Sequence, residues 1–501
     1  MGSFLKGTLF LMFVIFISKL FGFVYRMQFM RIAGEEAVGL YMTAYPTFIF
    51  FISLIQLGIP IAVAKLIAHY HASNKDEHIS VIMRTAIKLS VLSIIIFMPI
   101  LMLTIPYIVK NLLHNENLIF TLYVSLFTIP LVIFSSLMKA YLQGLAKIAP
   151  TAWAQLLEQL VRIGLIVFAL PYFIIPSEPA KTAAVAMGIT AMGEVFSFLF
   201  LGYYYWKSKR NLKKATTKGT FVKPIFNIAI PSAGSKLFGT FTWFLEPIVF
   251  LKALTVSGIT AGAATTLYGV ISGVHIPLLL FPSFIPNALA IVLIPAVSSA
   301  LASKNWTLLN QRIGMSLRLS SIIGCGAAAF FFLHGDELTM QLFHLEENRG
   351  YMKILAPIFY FYYIQSPLHS ILQAVDEARV AMMNSIYGGI GKLFLLYLLA
   401  SQSSIQEHGA IIAIGFGVLI TSFLHIASIR QHKKIAVGFR FFVLPYLIFI
   451  VTCFIQPILT QNLSLYASCT VTILMVTSLL IITNQLKLQD LKYVRSIFSR
   501  T

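Results

Sequence analysis

The chain has 501 residues, of which 58% are hydrophobic and only 11% charged, and it carries a formal net charge of +20 at pH 7. A mean hydropathy of +0.85 excludes a soluble globular protein of ordinary make-up, because so apolar a chain has too little polar surface to cover itself in water. The basic excess is then a membrane property: loops flanking membrane helices concentrate Lys and Arg on the cytoplasmic side, whereas nucleic-acid binding would need a basic face on a soluble fold that this sequence does not encode.

A helix needs about 20 apolar residues to cross a bilayer. On that length, spans are predicted near 7–31, 38–68, 80–108, 118–145, 151–174 and 182–206. The first apolar run is too long for a signal-peptide core and continues through Lys19 and Arg26, so it is read as a membrane helix. Six more spans follow near 224–252, 263–298, 307–333, 351–374, 380–401 and 409–429, and two further ones near 440–459 and 463–484. The expected fold is an all-α polytopic membrane protein of about 14 transmembrane helices. It divides into an N-lobe over 1–206, a basic cytoplasmic linker over 207–223, a C-lobe over 224–430, and two C-terminal helices with a basic tail over 431–501.

Loop charge follows this count. Lys75, Lys147, the cations between Lys207 and Lys223, Lys304, Arg430 and Lys434 all fall on one side, together with Arg84, Lys139 and Arg312 at loop edges. The other side is sparse or acidic, with Glu178, a loop over 334–350 containing Asp336, Glu337, Glu346 and Glu347, and Glu407. The positive-inside bias then puts both termini in the cytoplasm of a multi-pass cell-membrane protein. The linker reads as a solvated loop that touches anionic headgroups.

The two lobes share sequence. KLFG occurs at Lys19 and again at Lys236, and Leu40 with Tyr41 recurs as Leu267 with Tyr268. Leu142, Gln143, Arg162 and Ile163 match Leu372, Gln373, Lys392 and Leu393 at one constant offset. Six helices per lobe make the repeats parallel, which predicts a pseudo-two-fold axis along the membrane normal and a site between the lobes.

Enzyme signatures are not found. No phosphate-binding G-x-x-x-x-G-K-[ST] loop, H-E-x-x-H pair or G-x-S-x-G elbow occurs, and Cys325, Cys453 and Cys469 lack metal or disulfide spacing and read as small core residues. No cofactor or metal is expected, and the chain is read as a non-enzyme. What stands out is the set of ionisable groups inside apolar spans: Lys19, Arg26, Glu158, Arg162, Glu194, Lys236, Glu246, His275 and Lys392. Such groups are costly in lipid and mark substrate or ion pathways by default. Glu158 and Arg162, four apart on one helix, can neutralise each other as a structural pair. Lys19, Arg26, Lys236 and Lys392 then outnumber the remaining acids, giving a cavity of net positive potential that suits an anionic ligand. Arginine brings a planar fork for phosphate oxygens and lysine a point charge. Prolines at 46, 60, 277, 282, 286 and 295 mark helices that bend.

Seven stretches, FLKGTL at Phe4, GFVYR at Gly22, GEEAVGLYM at Gly34, FLEPIV at Phe244, FPSFIPNALAIVLIPAVS at Phe281, FYYIQSPLHSILQA at Phe361 and AMMNS at Ala381, occur in order along the chain. Together they resemble the sporulation branch of the polysaccharide-transporter family, within the MOP flippase superfamily that includes the MurJ-like lipid II flippases. The resemblance implies a fourteen-helix fold of two six-helix lobes plus two C-terminal helices. It also implies transport of an undecaprenyl-diphosphate-linked glycan precursor to the outer leaflet by alternating access, with lipid II for spore-cortex peptidoglycan as the expected cargo.

Carried over residue by residue, Arg26 matches the helix-one arginine of that family's cavity, and Gly34, Glu35 and Glu36 match the following loop or gate. The family's cavity arginines on helices two and eight have no counterpart: Gln56, Ser272 and His275 stand there instead, and Lys236 is a substitute inferred from this sequence. Glu246 lies near the helix-seven position that carries a cation-binding acid in some lipid II flippases, with Asn384 on helix eleven as its candidate partner, so coupling to Na+ or H+ is open. The expected substrate-binding set is Arg26, Lys19, Lys236, Gln56, His275 and Lys392. Expected partners are the lipid-linked anionic glycan, anionic membrane lipids and envelope-synthesis proteins, with the chain acting as a monomer. Two alternatives stay open: a MATE-like multidrug or ion antiporter, and a non-transporting scaffold or polytopic envelope enzyme.

Overall fold

The computed structural model describes residues 2–174, 177–209, 220–432, 434–435, 438 and 440–486. Positions 210–219 of the predicted linker and the basic tail beyond 486 lie outside the described residues. The described residues form helices joined by short turns, without strands. By contacts the chain divides into two compact units, one comprising residues 1–255 and 259–273, the other 256–258 and 274–501.

In the first unit, α1 (Gly2–Gln56) holds the first predicted span and much of the second. The break between them is Gly34, whose φ of 78° and ψ of 170° leave the helical region at a cost only glycine escapes. Glu35 and Glu36 open the next helical segment directly rather than forming a loop, and a carboxylate in a first turn is favoured by the helix dipole. A second break follows at Leu57 and Gly58, with φ of 46° and 70°. There the second span resumes as α2 (Ile59–Ala72), with Pro60 in its first turn, where a missing N–H costs nothing.

The unit continues with α3 (Glu77–Tyr107), α4 (Ile119–Gly144), α5 (Ile148–Phe168), α6 (Pro179–Lys209), α7 (Val222–Val256) and α8 (Ala261–Val270). Ile59, Val63 and Ile67 of α2 meet Ile82 of α3, Leu137 and Tyr141 of α4, Leu201 of α6 and Ala229 of α7 in one buried cluster. Helices of lipid-like composition cannot be driven together by exclusion from water, so close backbone approach between small residues matters more. At the crossing of α1 and α8, Gly39 and Gly269 lie face to face: a Cβ on Gly269 would strike the Gly39 backbone, and one on Gly39 would lie 2.7 Å from the Thr265 carbonyl oxygen.

The second unit holds α9 (Ile276–Leu280), α10 (Phe284–Ala302), α11 (Trp306–Phe343), α12 (Tyr351–Ala374), α13 (Ala378–Ala400), α14 (Gln406–Arg430), α15 (Arg440–Leu459) and α16 (Leu465–Ile482). The eighth predicted span is thus α8, α9 and α10 in series, separated by a π-turn at Ile271–His275 and a 3-10 turn at Phe281–Ser283. Pro277 stands in the first turn after the π-turn and Pro282 in the 3-10 turn itself, each at a first-turn position where proline is tolerated. Around α12 are packed α10, α11, α13 and α14, while α15 and α16 lie against α11. The predicted outer loop over 334–350 is shorter than expected: α11 runs to Phe343, so Asp336 is helical and buried, and its Oδ1 accepts the Met352 N–H at 3.1 Å near the start of α12.

Twelve helical stretches among the described residues are long and apolar enough to cross a membrane. One of them, Phe16–Gln56, contains the Gly34 break between two predicted spans, and α12 is the predicted span too polar to be counted this way. The expected all-α, fourteen-span architecture is therefore the observed one. Gly39→Ala is expected to lower the stability of the detergent-solubilised protein by about 1–3 kcal/mol, as overpacking of a helix crossing does. Gly326→Ala, where no atom lies within 4 Å of the added carbon, should instead be neutral or stabilising by about 0.5–1 kcal/mol; thermal unfolding of both checks this.

Candidate functional site

The first unit places three sets of polar groups in its apolar helices. The first is Arg26 on α1, which donates from Nη1 to the Ser272 carbonyl oxygen at 3.2 Å. Ser272 sits in the π-turn, and in the i→i+5 register of such a turn the residue that should bond its carbonyl is Pro277, which has no N–H. The cation therefore satisfies an acceptor that the backbone irregularity exposes. In return, that carbonyl gives the guanidinium a fixed position in the helix bundle.

The second set forms at the break after α1. Gly58 lies so close to α7 that an added Cβ would collide with the Ala229 carbonyl oxygen. That contact sets α7 alongside the end of α1, two turns before Lys236. Lys236 donates from Nζ to Gln56 Oε1 at 3.0 Å, and Gln56 donates from Nε2 to Ser136 Oγ on α4 at 3.1 Å. Gln56 is 6% exposed, whereas Lys236 is exposed. Two residues expected in the site from separate spans are thus in direct contact. Beside them the first unit is aromatic: Phe50 stacks on Phe244 with centroids 5.0 Å apart, and Tyr45 meets Trp243 edge-on at 5.9 Å.

The third set is a buried charge cluster. Glu158 Oε1 accepts from Arg162 Nη2 at 2.6 Å, confirming the expected pair on α5, and Lys139 Nζ of α4 lies 3.8 Å from the other carboxylate oxygen. Lys139 belongs to the helix and not to the loop edge where its charge suggested it. On α6, Gly193 clears the space for this arginine, since a Cβ there would lie 2.8 Å from Arg162 Cγ. The neighbouring Glu194 is buried and its Oε2 is without a hydrogen-bond partner. Tyr41 and Thr190 share a buried hydrogen bond of 3.0 Å between α1 and α6. Lys19 is half-buried on α1, and Glu246 is buried on α7.

The remaining expected residues belong to the second unit. His275 is buried with its ring edge-on to Tyr351 at 5.2 Å, a packing environment. The stem of Lys392 on α13 packs against Gly417 of α14, where an added Cβ would lie 2.8 Å from Lys392 Cβ. Asn384 gives both amide protons to α14, to His425 Nδ1 at 3.2 Å and to Ser428 Oγ at 2.9 Å. Sequence reasoning did not find Ser136, Ser272 as a carbonyl acceptor, or Thr190. Single hydroxyls and carbonyls carry no signal in a sequence.

The family model for "Polysaccharide biosynthesis protein" matches residues 4–301. The chain belongs to this family. A relative within reach of the whole chain is stage V sporulation protein B of Bacillus subtilis (strain 168), 32% identical over 93% of this chain and 91% of that protein. The lipid II flippase MurJ of the same organism is 22% identical over 85% of this chain and 82% of its own length. Among solved structures, a lipid II flippase MurJ in an inward closed conformation matches with a TM-score of 0.70, 13% identity and coverage of 98% and 99%. An inward-facing multidrug resistance MATE transporter of the MOP superfamily matches with a TM-score of 0.68, 15% identity and coverage of 83% and 94%. The fold is the one shared by these MOP-superfamily structures, and this member of the polysaccharide biosynthesis family is a multi-pass membrane protein.

The charge cluster gives a stability test. Glu158→Gln leaves Arg162 largely buried without its anion and is expected to cost about 3–5 kcal/mol, as breaking a buried ion pair does. The double variant Glu158→Gln/Arg162→Gln should recover a large part of that loss in thermal unfolding, because it removes the stranded charge.

Proposed function

We propose that the protein is a flippase that moves an undecaprenyl-diphosphate-linked glycan precursor to the outer leaflet by alternating access, with lipid II for spore-cortex peptidoglycan as its cargo. The observation that carries this reading is that Arg26 and Lys236, two cations within apolar helices, are each bonded to a neutral acceptor. A carboxylate in either place would have consumed the charge; a carbonyl oxygen only orients it. The positive potential is left to meet an anion, and a diphosphate linked to a prenyl chain is an anion that reaches a site within a membrane. Family membership and the likeness to stage V sporulation protein B and to lipid II flippases support the same cargo class.

In this reading Arg26 takes the diphosphate in its planar fork, Lys236 adds a second point charge, and Gln56 holds Lys236 in place. Lys19 adds to the positive field of the first unit, and Lys392 is the candidate cation of the second. Glu246 of the first unit and Asn384 of the second are each candidates for coupling to Na+ or H+, and the loop charges orient both termini to the cytoplasm. The aromatic surface of Tyr45, Phe50, Trp243 and Phe244 offers apolar contact for the prenyl end. An antiporter of organic cations would need acidic groups where Arg26 and Lys236 stand, and catalysis has no assigned residue in this reading.

In proteoliposomes loaded with lipid II, Arg26→Ala and Lys236→Ala should each lower translocation at least tenfold, and Arg26→Lys should keep an intermediate rate because it preserves charge but not the fork. Wild-type rates in both alanine variants would overturn the reading.

A further inference from the structure

Within the second unit, α10, α12, α13 and α14 line a partly open pocket of about 220 Å³. Its wall consists of Ser283, Pro286, Asn287, Tyr362, Gln365, Ser366, His369, Ser370, Ser385, Thr421 and His425. Every one of these except Pro286 has a hydrogen-bonding side chain, and among the described residues none is a carboxylate, Lys or Arg. An apolar bundle does not keep so many polar groups around one space without something to bond there, water or ligand. The volume is far above the ~10–15 Å³ that one water requires and below the roughly 300 Å³ at which pockets for drug-sized ligands begin. It suits one ring-sized polar group.

The wall is also set in its hydrogen-bonding sense. Gln365 gives its amide protons to the Val418 carbonyl oxygen at 2.7 Å and to Ser422 Oγ at 3.0 Å, so the group it has left to offer is the carbonyl oxygen, an acceptor. Asn384 donates to His425 Nδ1 at 3.2 Å, which makes that nitrogen an acceptor and puts the proton of the neutral ring on Nε2, a donor. His369 is held the same way: its Nε2 lies 3.0 Å from the Gln373 side-chain nitrogen, leaving Nδ1–H as the donor. The two imidazoles are 5.5 Å apart between centroids. One fixed acceptor and two fixed donors, with hydroxyls and an aromatic ring from Tyr362 around them, match a ligand that is uncharged and carries several hydroxyl or amide groups. A charged ligand would find no counter-ion in this wall.

The geometry points to this cavity as a binding site for an uncharged sugar ring, the saccharide part of the transported glycan, separate from the cations that meet its diphosphate. That identity of the sugar's source rests on the flippase reading above. The cavity's own selectivity does not, so it is tested without translocation.

Purified full-length protein in detergent is titrated with the methyl glycosides of a neutral 2-acetamido hexose, a neutral hexose and a uronic acid, with binding read by saturation-transfer NMR. The neutral glycosides should give a saturable signal and the uronic acid at least tenfold weaker binding. Ser366→Leu, which fills the space without removing a bond between helices, and His369→Ala, which removes one donor, should each weaken the neutral glycosides at least tenfold while the thermal unfolding midpoint holds. No saturable signal in the wild type, equal binding of the uronic acid, or wild-type binding in Ser366→Leu would overturn the proposal. Glycoside binding in a protein that does not move lipid II would keep this site and overturn the cargo reading instead.

Discussion

A charge inside an apolar helix bundle must be met by a partner within hydrogen-bond reach, because neither lipid nor packed side chains can solvate it. Much of the first unit follows from that requirement. Arg162 is met by Glu158 one turn away, Lys139 approaches from α4, and Gly193 on α6 has no side chain so that the guanidinium has room. In this cluster a carboxylate faces the cations directly, and the charge of Arg162 is neutralised by the closer pair. Arg26 and Lys236 are met differently, by a backbone carbonyl and a side-chain amide, which hold the cation without cancelling it. Two kinds of cation thus occur in the apolar helices of one unit, and only the second kind is suited to attract a ligand.

Backbone irregularity is the means by which these partners are supplied. A regular membrane helix uses its own carbonyls internally and has none to lend. The π-turn at Ile271–His275, followed by Pro277, releases the Ser272 carbonyl that Arg26 then takes. The break at Leu57–Gly58 ends α1 at Gln56 and admits α7 close enough for Lys236 to reach it. In each case a defect in one helix and a cation on another offset each other's cost, and the pair joins elements far apart in sequence.

The second unit solves the burial of polarity without charge. Gln365, Asn384 and His425 are cross-bonded between α12, α13 and α14, His369 is bonded to Gln373 within α12, and each bond fixes which atom the group presents. A wall built this way distinguishes ligands by donor and acceptor pattern, where the cations of the first unit distinguish by sign. For a cargo with an anionic linkage and a neutral saccharide, both kinds of recognition have a use.

Composition and the period of apolar runs determined the class and the number of spans, because a bilayer of fixed thickness imposes one length on every helix and polar gaps betray the ends. Arg26, Lys236 and the Glu158–Arg162 pair were legible for the same reason, since an ionisable residue in an apolar run is conspicuous in one dimension. The loop assignment of Asp336 failed because α11 continues beyond its apolar core to Phe343, and charge alone does not mark where a helix stops. Which cation is neutralised and which is held by a neutral acceptor was decided only in three dimensions. The contacts of Gln56 with Lys236 and of Arg26 with Ser272 join residues 180 and 246 positions apart. Their acceptors, a carbonyl and an amide, become distinctive only when a helix break and a glycine crossing bring them beside a charge.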